Sequence, residues 1–260
     1  MTRSPIPIIV LLLVCALSGA CLPDLLSQSA SRFVDCDDIE TPADMRCIPG
    51  AAFTRGSERA SRQEDTGRTV RDESPVAVVE ISTFLMDTYE VTFGDYQKCL
   101  QAGGCDQAGP RYRGYSNPKQ PMLGASWFAA RKYCRWAGKR LPTEAEWERA
   151  ARGPDGERYP WGNETATCER AIIQENGKKG CGTGRTHDVG TRPVERYGLY
   201  DMGGNSWEWV NDWYAKDYAA CGDKCKGRDP LGPCDGADKC PGHNMRIVRG
   251  GSWWWNAEQS

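Results

Sequence analysis

The order of apolar and polar positions between residues 76 and 101 predicts one strand followed by one helix. Val76 to Phe84 is rich in β-branched side chains, which favour extended backbone, so we expect a strand there. Thr92 precedes a short amphipathic stretch and Asp95 follows three positions later, a variant of the capping box. A helix from Phe93 to about Leu100 is therefore predicted.

A second helix is predicted from Trp127 to Trp136. Ser126 is its expected N-cap, because a Ser hydroxyl accepts a hydrogen bond from the first turn of a helix, and Gly138 is expected to end it. Ala130 and Cys134 are four positions apart and share one face. We expect Cys134 to face the protein core.

A third helix is predicted directly after Thr143. Thr143 and Glu146 have the spacing of a capping box, in which each residue bonds the backbone of the other. Trp147, Ala150 and Ala151 then form an apolar stripe, which predicts the buried face of this helix.

The rest of the chain has little periodicity. Residues 21–44 are predicted to be a polar tether, and Ser57 to Ser74 is so rich in charge that we expect an exposed or mobile loop. The 260 residues include 29 Gly, 10 Trp and 13 Cys, which is typical of a loop-rich fold filled with aromatic side chains and held by disulfides. We expect one main domain over residues 45–260.

Residues 1–20 have the pattern of a secretory signal peptide. Arg3 precedes an apolar run from Ile6 to Leu17, which is too short to span a bilayer comfortably, and small residues follow as far as Ala20. The stretch ending at Cys21 (LSGAC) also resembles a bacterial lipobox, in which this cysteine carries the lipid. We expect export, either as a lipoprotein of the outer membrane or periplasm or as a secreted protein.

Charge and composition exclude several classes of protein. Lys and Arg total 33 against 35 Asp and Glu, so the net charge of −2 gives no support for a nucleic-acid partner. The mean hydropathy of −0.63 excludes a protein with several membrane spans. His187 and His243 are the two histidines of the chain, which excludes a metal site built from three imidazoles.

The cysteines predict disulfides, because an exported chain folds under oxidising conditions. Beyond Cys15 and Cys21, local pairs are plausible for three couples: Cys36 with Cys47, Cys99 with Cys105, and Cys168 with Cys181. Cys221, Cys225, Cys234 and Cys240 share one loop, and their partners are left open. A zinc knuckle in this loop is the alternative, although the spacings match no zinc pattern closely.

One of these cysteines should stay unpaired, because 13 less Cys15 and Cys21 leaves the odd number 11. Cys134 is our candidate, since its neighbours place it on the predicted second helix.

Six motifs occur in order along most of the chain, and together they are far more specific than any one alone. Three are long: Arg140–Glu148 (RLPTEAEWE), Gly198–Trp209 (GLYDMGGNSWEW) and Val248–Trp253 (VRGGSW). Three are short: Cys47–Gly50 (CIPG), Tyr89–Thr92 (YEVT) and Tyr159–Asn163 (YPWGN). This set resembles the sulfatase-modifying-factor family, whose founding activity is formylglycine generation. The resemblance implies a compact, irregular, α+β variant of the C-type lectin fold, with bound calcium.

The resemblance also implies a calcium site in the Gly198–Trp209 motif. Asp201 and Glu208 would supply side-chain oxygens, Gly204 and Ser206 would supply carbonyls, and Asn205 would shape the loop. Calcium prefers a cage of oxygen ligands, which suits two carboxylates around a glycine-rich bend. A second calcium site of the family is not carried over, because its nearest counterpart here is Ile172.

The sequence departs from the family's oxidase members, which hold copper(I) with two cysteines. Trp255 stands at the first of these positions and Ser260 at the second, so we expect no copper. Ser252 and Trp207 match residues that line the family's pocket.

The chain also stops before the closing strand of the family, so a C-terminal part is expected to be missing. In the family this strand often carries a cysteine that pairs with the equivalent of Cys134.

Three functions remain open at this point. The leading hypothesis is an exported, calcium-supported module that binds a peptide, a glycan or a partner protein. The alternative is a formylglycine-generating oxidase or a related oxidative enzyme acting on a protein or small thiol substrate. The third is a structural protein of the bacterial cell envelope, made durable by disulfides and calcium.

Overall fold

The computed structural model describes residues 33–59, 61–62 and 69–256. The predicted signal peptide, Cys21 and Ser260 lie outside the described residues. Within the described part of the chain, no helix has both the length and the apolar character needed to cross a membrane.

Short antiparallel strand pairs are the regular β-structure of the described residues. Each pair joins two strands: β1 (Met45–Ile48) with β6 (Phe84–Asp87), β2 (Ala51–Arg55) with β5 (Ala77–Ile81), β3 (Ser61–Arg62) with β4 (Thr69–Val70), and β7 (Glu208–Trp213) with β8 (Arg246–Arg249). The stretch Ser57 to Ser74, predicted to be a loop, therefore contains the small pair β3–β4.

The single strand predicted from Val76 to Phe84 is wrong, because the structure divides it into β5 and β6. Ser82 and Thr83 separate the two strands, as Pro49 and Gly50 separate their partners. The Gly50 N–H donates to the Thr83 hydroxyl at 3.0 Å, and the Ser82 N–H donates to the Asp229 carboxylate at 2.6 Å. The break is thus held by contacts with distant parts of the chain.

The three predicted helices begin where the sequence predicts, and a fourth, single-turn helix was not predicted. Their bounds are α1 (Phe93–Gln101), α2 (Trp127–Trp136), α3 (Glu144–Arg152) and a single turn, α4 (Tyr218–Cys221). The Thr92 and Ser126 hydroxyls accept the N-cap hydrogen bonds of α1 and α2. Both bonds of the Thr143–Glu146 capping box are formed, at 3.1 and 2.8 Å.

Helix α3 lies at the centre of the core. Trp147, Ala150 and Ala151 pack with apolar residues from β1, β7 and the Gly198–Trp209 motif. The other side of α3 carries buried charge: the Glu144 carboxylate pairs with the Arg55 guanidinium, and each side chain is 2% exposed. A buried pair of this kind needs both partners, because one charge left alone would lack both water and a counter-ion.

Five disulfides are present among the described residues. They join Cys36 to Cys47, Cys99 to Cys105, Cys168 to Cys181, Cys221 to Cys225, and Cys234 to Cys240. Cys134 is the free cysteine of the described part. We expected Cys134 to face the core, which is wrong. Its side chain is half-buried and lines a groove that α2 shares with several other segments.

Candidate functional site

The loop Asp201–Glu208, called here the acidic loop, is fixed in place by Asn205. The Asn205 N–H donates to the Ile172 carbonyl at 2.8 Å, and the Asn205 side-chain oxygen accepts from the His187 N–H at 2.9 Å. Asp201 and Asn205 both have positive φ, +61° and +56°, a conformation that Asp and Asn tolerate better than most residues. At the two positions of positive φ, the loop therefore has residue types that tolerate this backbone conformation.

Two carboxylates of the acidic loop are held by donors from other elements. The Asp201 carboxylate accepts from the Gly190 N–H at 2.6 Å, and the Glu208 carboxylate accepts from the Trp147 indole N–H at 2.7 Å. Asp201 is 5% exposed. Each carboxylate has a hydrogen bond, but neither has an ion pair with Lys or Arg among the described residues.

Two further carboxylates, Glu90 and Glu195, surround the acidic loop and were missed as site residues from the sequence. The Glu90 carboxylate accepts from the Asn205 side-chain amide at 2.7 Å and from the Ser206 N–H at 2.9 Å. The Glu195 carboxylate accepts from the Met202 N–H at 2.9 Å. Glu90 lies in the Tyr89–Thr92 motif, which was the available signal, whereas nothing in the sequence singled out Glu195.

Burial and mutual repulsion raise the pKa of these carboxylates. Burial raises the pKa of Glu208 to about 7, and the charge of Asp201 adds to the effect. Burial, followed by the charges of Asp201 and Glu208, holds the pKa of Glu90 well above its usual value. Burial also raises the pKa of Asp201, although the charge of Arg192 opposes the shift. Ionising these carboxylates together is therefore unfavourable in the protein alone, and a bound cation would favour their charged forms.

The atoms that the resemblance assigns to a calcium site in the acidic loop are all oxygens, the kind of ligand that a hard cation prefers. Asp201 and Glu208 have carboxylate oxygens to offer, and Gly204 and Ser206 have backbone carbonyls. No cluster of three or more His, Cys, Asp or Glu side chains that could hold a metal ion occurs among the described residues. A cation here would therefore depend on the carbonyls as well as on the two carboxylates. Ile172 is a fully buried apolar residue and offers no side-chain ligand.

A groove of about 800 Å³ lies beside the acidic loop. Its walls come from β6, from the loop before α2, from Cys134, and from two tryptophan-rich segments, residues 207–209 and 253–255. We call it the tryptophan groove. Ser206 and Glu208 also line it, so the acidic loop forms part of its wall.

Trp255 lines this groove and its indole ring lies near that of Trp207. Its ring centroid lies 5.9 Å from that of Trp207, and its carbonyl accepts from the Gln174 N–H at 2.7 Å. Ser252 is 6% exposed and lines the same groove. The structure therefore brings Trp207, from the Gly198–Trp209 motif, to the segment that carries Ser252 and Trp255. An indole has no thiolate to offer a soft metal ion.

The tryptophan groove contains one free thiol among its described residues, that of Cys134. Burial raises the pKa of Cys134 to about 11, and the charge of Asp87 acts in the same direction. At neutral pH this group is a protonated thiol, which is a weak nucleophile and a poor metal ligand.

Comparisons with known proteins agree with this geometry. The family model of the sulfatase-modifying factor enzyme 1-like domain matches residues 32–260. A formylglycine-generating enzyme of Thermomonospora curvata is 32% identical over 269 residues, covering 80% of this chain and 82% of that protein. A Bos taurus protein named inactive C-alpha-formylglycine-generating enzyme 2 is 39% identical over 279 residues, covering 88% of this chain and 82% of that protein.

A solved structure has a similar fold. PvdO from Pseudomonas aeruginosa matches with a TM-score of 0.61 and 26% identity, covering 82% of this chain and 84% of that one. The chain belongs to the sulfatase-modifying factor enzyme 1-like domain family. The compact, irregular, α+β, C-type-lectin-like fold that the six motifs implied is confirmed.

Proposed function

We propose that this protein is a calcium-supported binding module that does not carry out the copper-dependent oxidation of its family. The observation that carries the proposal is the indole of Trp255 in the tryptophan groove, at the position where the resemblance places the first copper-binding cysteine. Soft thiolates are the ligands that copper(I) prefers, and an indole cannot replace one. A relative named as inactive lends support, since loss of activity has occurred within this family.

In this proposal the acidic loop supports one wall of the tryptophan groove. Calcium held by Asp201 and Glu208, with the carbonyls of Gly204 and Ser206, would neutralise their charge and fix the segment that carries Trp207. The groove then presents a preformed surface of aromatic and apolar side chains. Its ligand would be a peptide, a glycan or a partner protein, bound without chemical change.

Export completes the proposal. Removal of residues 1–20 would leave Cys21 at the N-terminus, where a lipid would anchor the domain in the bacterial cell envelope; without the lipid the protein would be secreted. Mass spectrometry of the mature protein from the membrane fraction tests this step. We expect an acylated Cys21 peptide, and an uncleaved peptide containing Arg3 in the exported protein would refute processing.

Metal analysis of the purified protein tests the functional proposal. After incubation with calcium and copper(I) together, followed by desalting, we expect about one calcium per chain and no stoichiometric copper. Asp201→Asn should lose the calcium, whereas Asp95→Asn, on the surface of α1, should keep it. Bound copper in the unmodified protein would favour the alternative, an oxidase. The oxidase alternative is supported by the similarity to the Thermomonospora curvata enzyme and by the presence of Ser252 and Trp207 in the groove.

A further inference from the structure

A second concave feature, the polar hollow, lies outside the tryptophan groove. It has a volume of about 450 Å³ and lies between the segments 114–120 and 183–191. The side chains that line it are mostly hydroxyls, amides and nitrogen bases: Ser116, Asn117, Thr183, Arg185, His187 and Thr191. Asp188 is the acidic residue of its lining.

The two walls of the polar hollow are cross-linked by hydrogen bonds. The side-chain amide of Gln120, which is 5% exposed, donates to the carbonyl of Thr186 at 2.9 Å. The Val189 N–H donates to the Lys119 carbonyl at 2.9 Å, and the Tyr115 hydroxyl donates to the Gly184 carbonyl at 3.1 Å. The hollow is therefore formed before any ligand arrives.

Basic residues without an ion pair lie on or near the walls of the polar hollow. Arg185 lines it, and Arg113 and Lys119 lie in or next to the wall segment 114–120. Lys178 and Lys179 come just before Gly180, whose carbonyl accepts from the Thr183 hydroxyl in the other wall. No ion pair joins any of the five to a carboxylate among the described residues. A local basic surface on a chain of net charge −2 attracts anions.

Aromatic rings continue the basic surface towards the tryptophan groove. The Tyr115 ring lies 5.6 Å from the ring of Trp253, and the Lys179 ammonium lies 2.7 Å from the ring centroid of Trp254. Trp254 is 43% exposed. Flat, partly exposed rings offer apolar area at low entropic cost and can pack against the faces of sugar rings.

We propose that the polar hollow and its basic rim bind an acidic polysaccharide, with sulfate or carboxylate groups on the basic residues and sugar rings on Tyr115 and Trp254. Neither wall contains a strand, so the hollow offers an extended peptide no edge for main-chain pairing. A concave surface of hydroxyls and amides also differs from the exposed apolar side chains by which proteins enter a lipid surface. The proposed binding surface and the tryptophan groove share Trp254, but the inference does not depend on the function proposed for the groove.

Binding of dextran sulfate to the full protein tests the inference, with uncharged dextran, polyglutamate and phosphatidylglycerol vesicles as comparisons. We expect dextran sulfate to bind more tightly than the other three, and its affinity to fall steeply as salt is raised from 20 to about 200 mM, because salt screens exposed charges. The salt titration uses the unmodified protein and therefore does not depend on how any variant folds.

A pair of double variants locates the binding surface. Lys119→Gln with Arg185→Gln should weaken dextran sulfate binding about tenfold. The matched control, Lys224→Gln with Lys226→Gln, removes the same charge from an exposed loop elsewhere and should change binding less than about twofold. Equal losses in the two double variants would overturn the inference, as would absence of dextran sulfate binding. Equal or tighter binding of polyglutamate or of the vesicles would also overturn it, in favour of an acidic protein or a lipid surface.

Discussion

The indole N–H of Trp147 donates a hydrogen bond of 2.7 Å to the carboxylate of Glu208. This contact joins two motifs that are 61 residues apart in the sequence, one on the central helix α3 and one in the acidic loop. One carboxylate oxygen of Glu208 is thereby fixed, which orients the group that we propose as a calcium ligand. Partners of this kind commonly tune metal affinity, since they hold the ligand in its binding geometry.

Trp147→Phe should lower both stability and calcium affinity. The substitution keeps an aromatic ring but removes the donor to the Glu208 carboxylate. We expect the free energy of unfolding to fall by about 1–3 kcal/mol, the usual cost of leaving a buried polar group without its partner. Calcium affinity, measured by titration calorimetry, should fall about tenfold or more.

Trp209→Phe is the matched control for that variant. The Trp209 indole donates to the Ala125 carbonyl at 2.9 Å, so the variant also loses one indole hydrogen bond. It should reduce the melting temperature without changing calcium affinity. If both variants bind calcium as the unmodified protein does, Glu208 is not a ligand positioned by Trp147.

Calcium removal should lower the melting temperature of the protein. A ligand that binds the native state stabilises it by RT ln(1 + [L]/Kd), about 2.7 kcal/mol when the free ligand is at about 100 times Kd. Scanning calorimetry with calcium and with chelator should therefore give two distinct melting temperatures. Equal values would show that the acidic loop does not hold calcium in the native state.

Asp201→Asn should abolish this calcium effect while keeping the fold. Asparagine tolerates the positive φ of residue 201, +61°, so the backbone of the loop can be retained. Removing one of the two proposed carboxylate ligands should weaken calcium binding strongly. Asp95→Asn, which changes a half-exposed carboxylate on α1, should preserve the full response to chelator.

Cys134 should react slowly in the native protein. Its pKa of about 11 leaves little thiolate at pH 8, and the thiolate is the reactive form. Iodoacetamide labelling followed by peptide mapping should show little modification of native protein and rapid modification after denaturation without reductant. A native labelling rate equal to that of the denatured protein would contradict the assigned environment.

Arg55→Met should destabilise the protein much more than a similar change at the surface. It removes the nearer of two guanidinium groups beside the buried Glu144 carboxylate, the other being that of Arg249 at 3.7 Å, and breaking comparable buried pairs costs about 3–5 kcal/mol. Lys98→Met removes one partner of a pair whose side chains are 71% and 41% exposed, and should cost less than about 1 kcal/mol. Urea denaturation of both variants measures the difference, and similar losses would contradict a special role for the buried pair.

Local signals explain which parts of the fold could be predicted. The N-caps at Thr92, Ser126 and Thr143 each involve residues three positions apart, so the sequence alone identifies them. The division between β5 and β6 could not be predicted in this way. It depends on a bond between Ser82 and Asp229, which are 147 residues apart.

The candidate site, like the fold, could be predicted only in part from the sequence. Asp201 and Glu208 stand in one recognisable motif, whereas Glu90 reaches the acidic loop across 115 residues through its bond to Asn205. The direction in which Cys134 points was predicted from helix periodicity, but periodicity cannot distinguish the protein core from the wall of a groove. The polar hollow has no single motif, because its two walls come from separate loops that meet only in the folded chain.

An assay for conversion of cysteine to formylglycine tests the central claim most directly. The purified protein would be incubated with a cysteine-containing sulfatase peptide, copper(I), O₂ and reductant, with the related Thermomonospora curvata enzyme as positive control. Conversion replaces sulfur by oxygen and removes two hydrogens, a loss of mass that mass spectrometry detects. We predict that the peptide keeps its original mass, because Trp255 supplies no thiolate for copper. Repeated turnover of the peptide would contradict the assignment of this protein as a binding module.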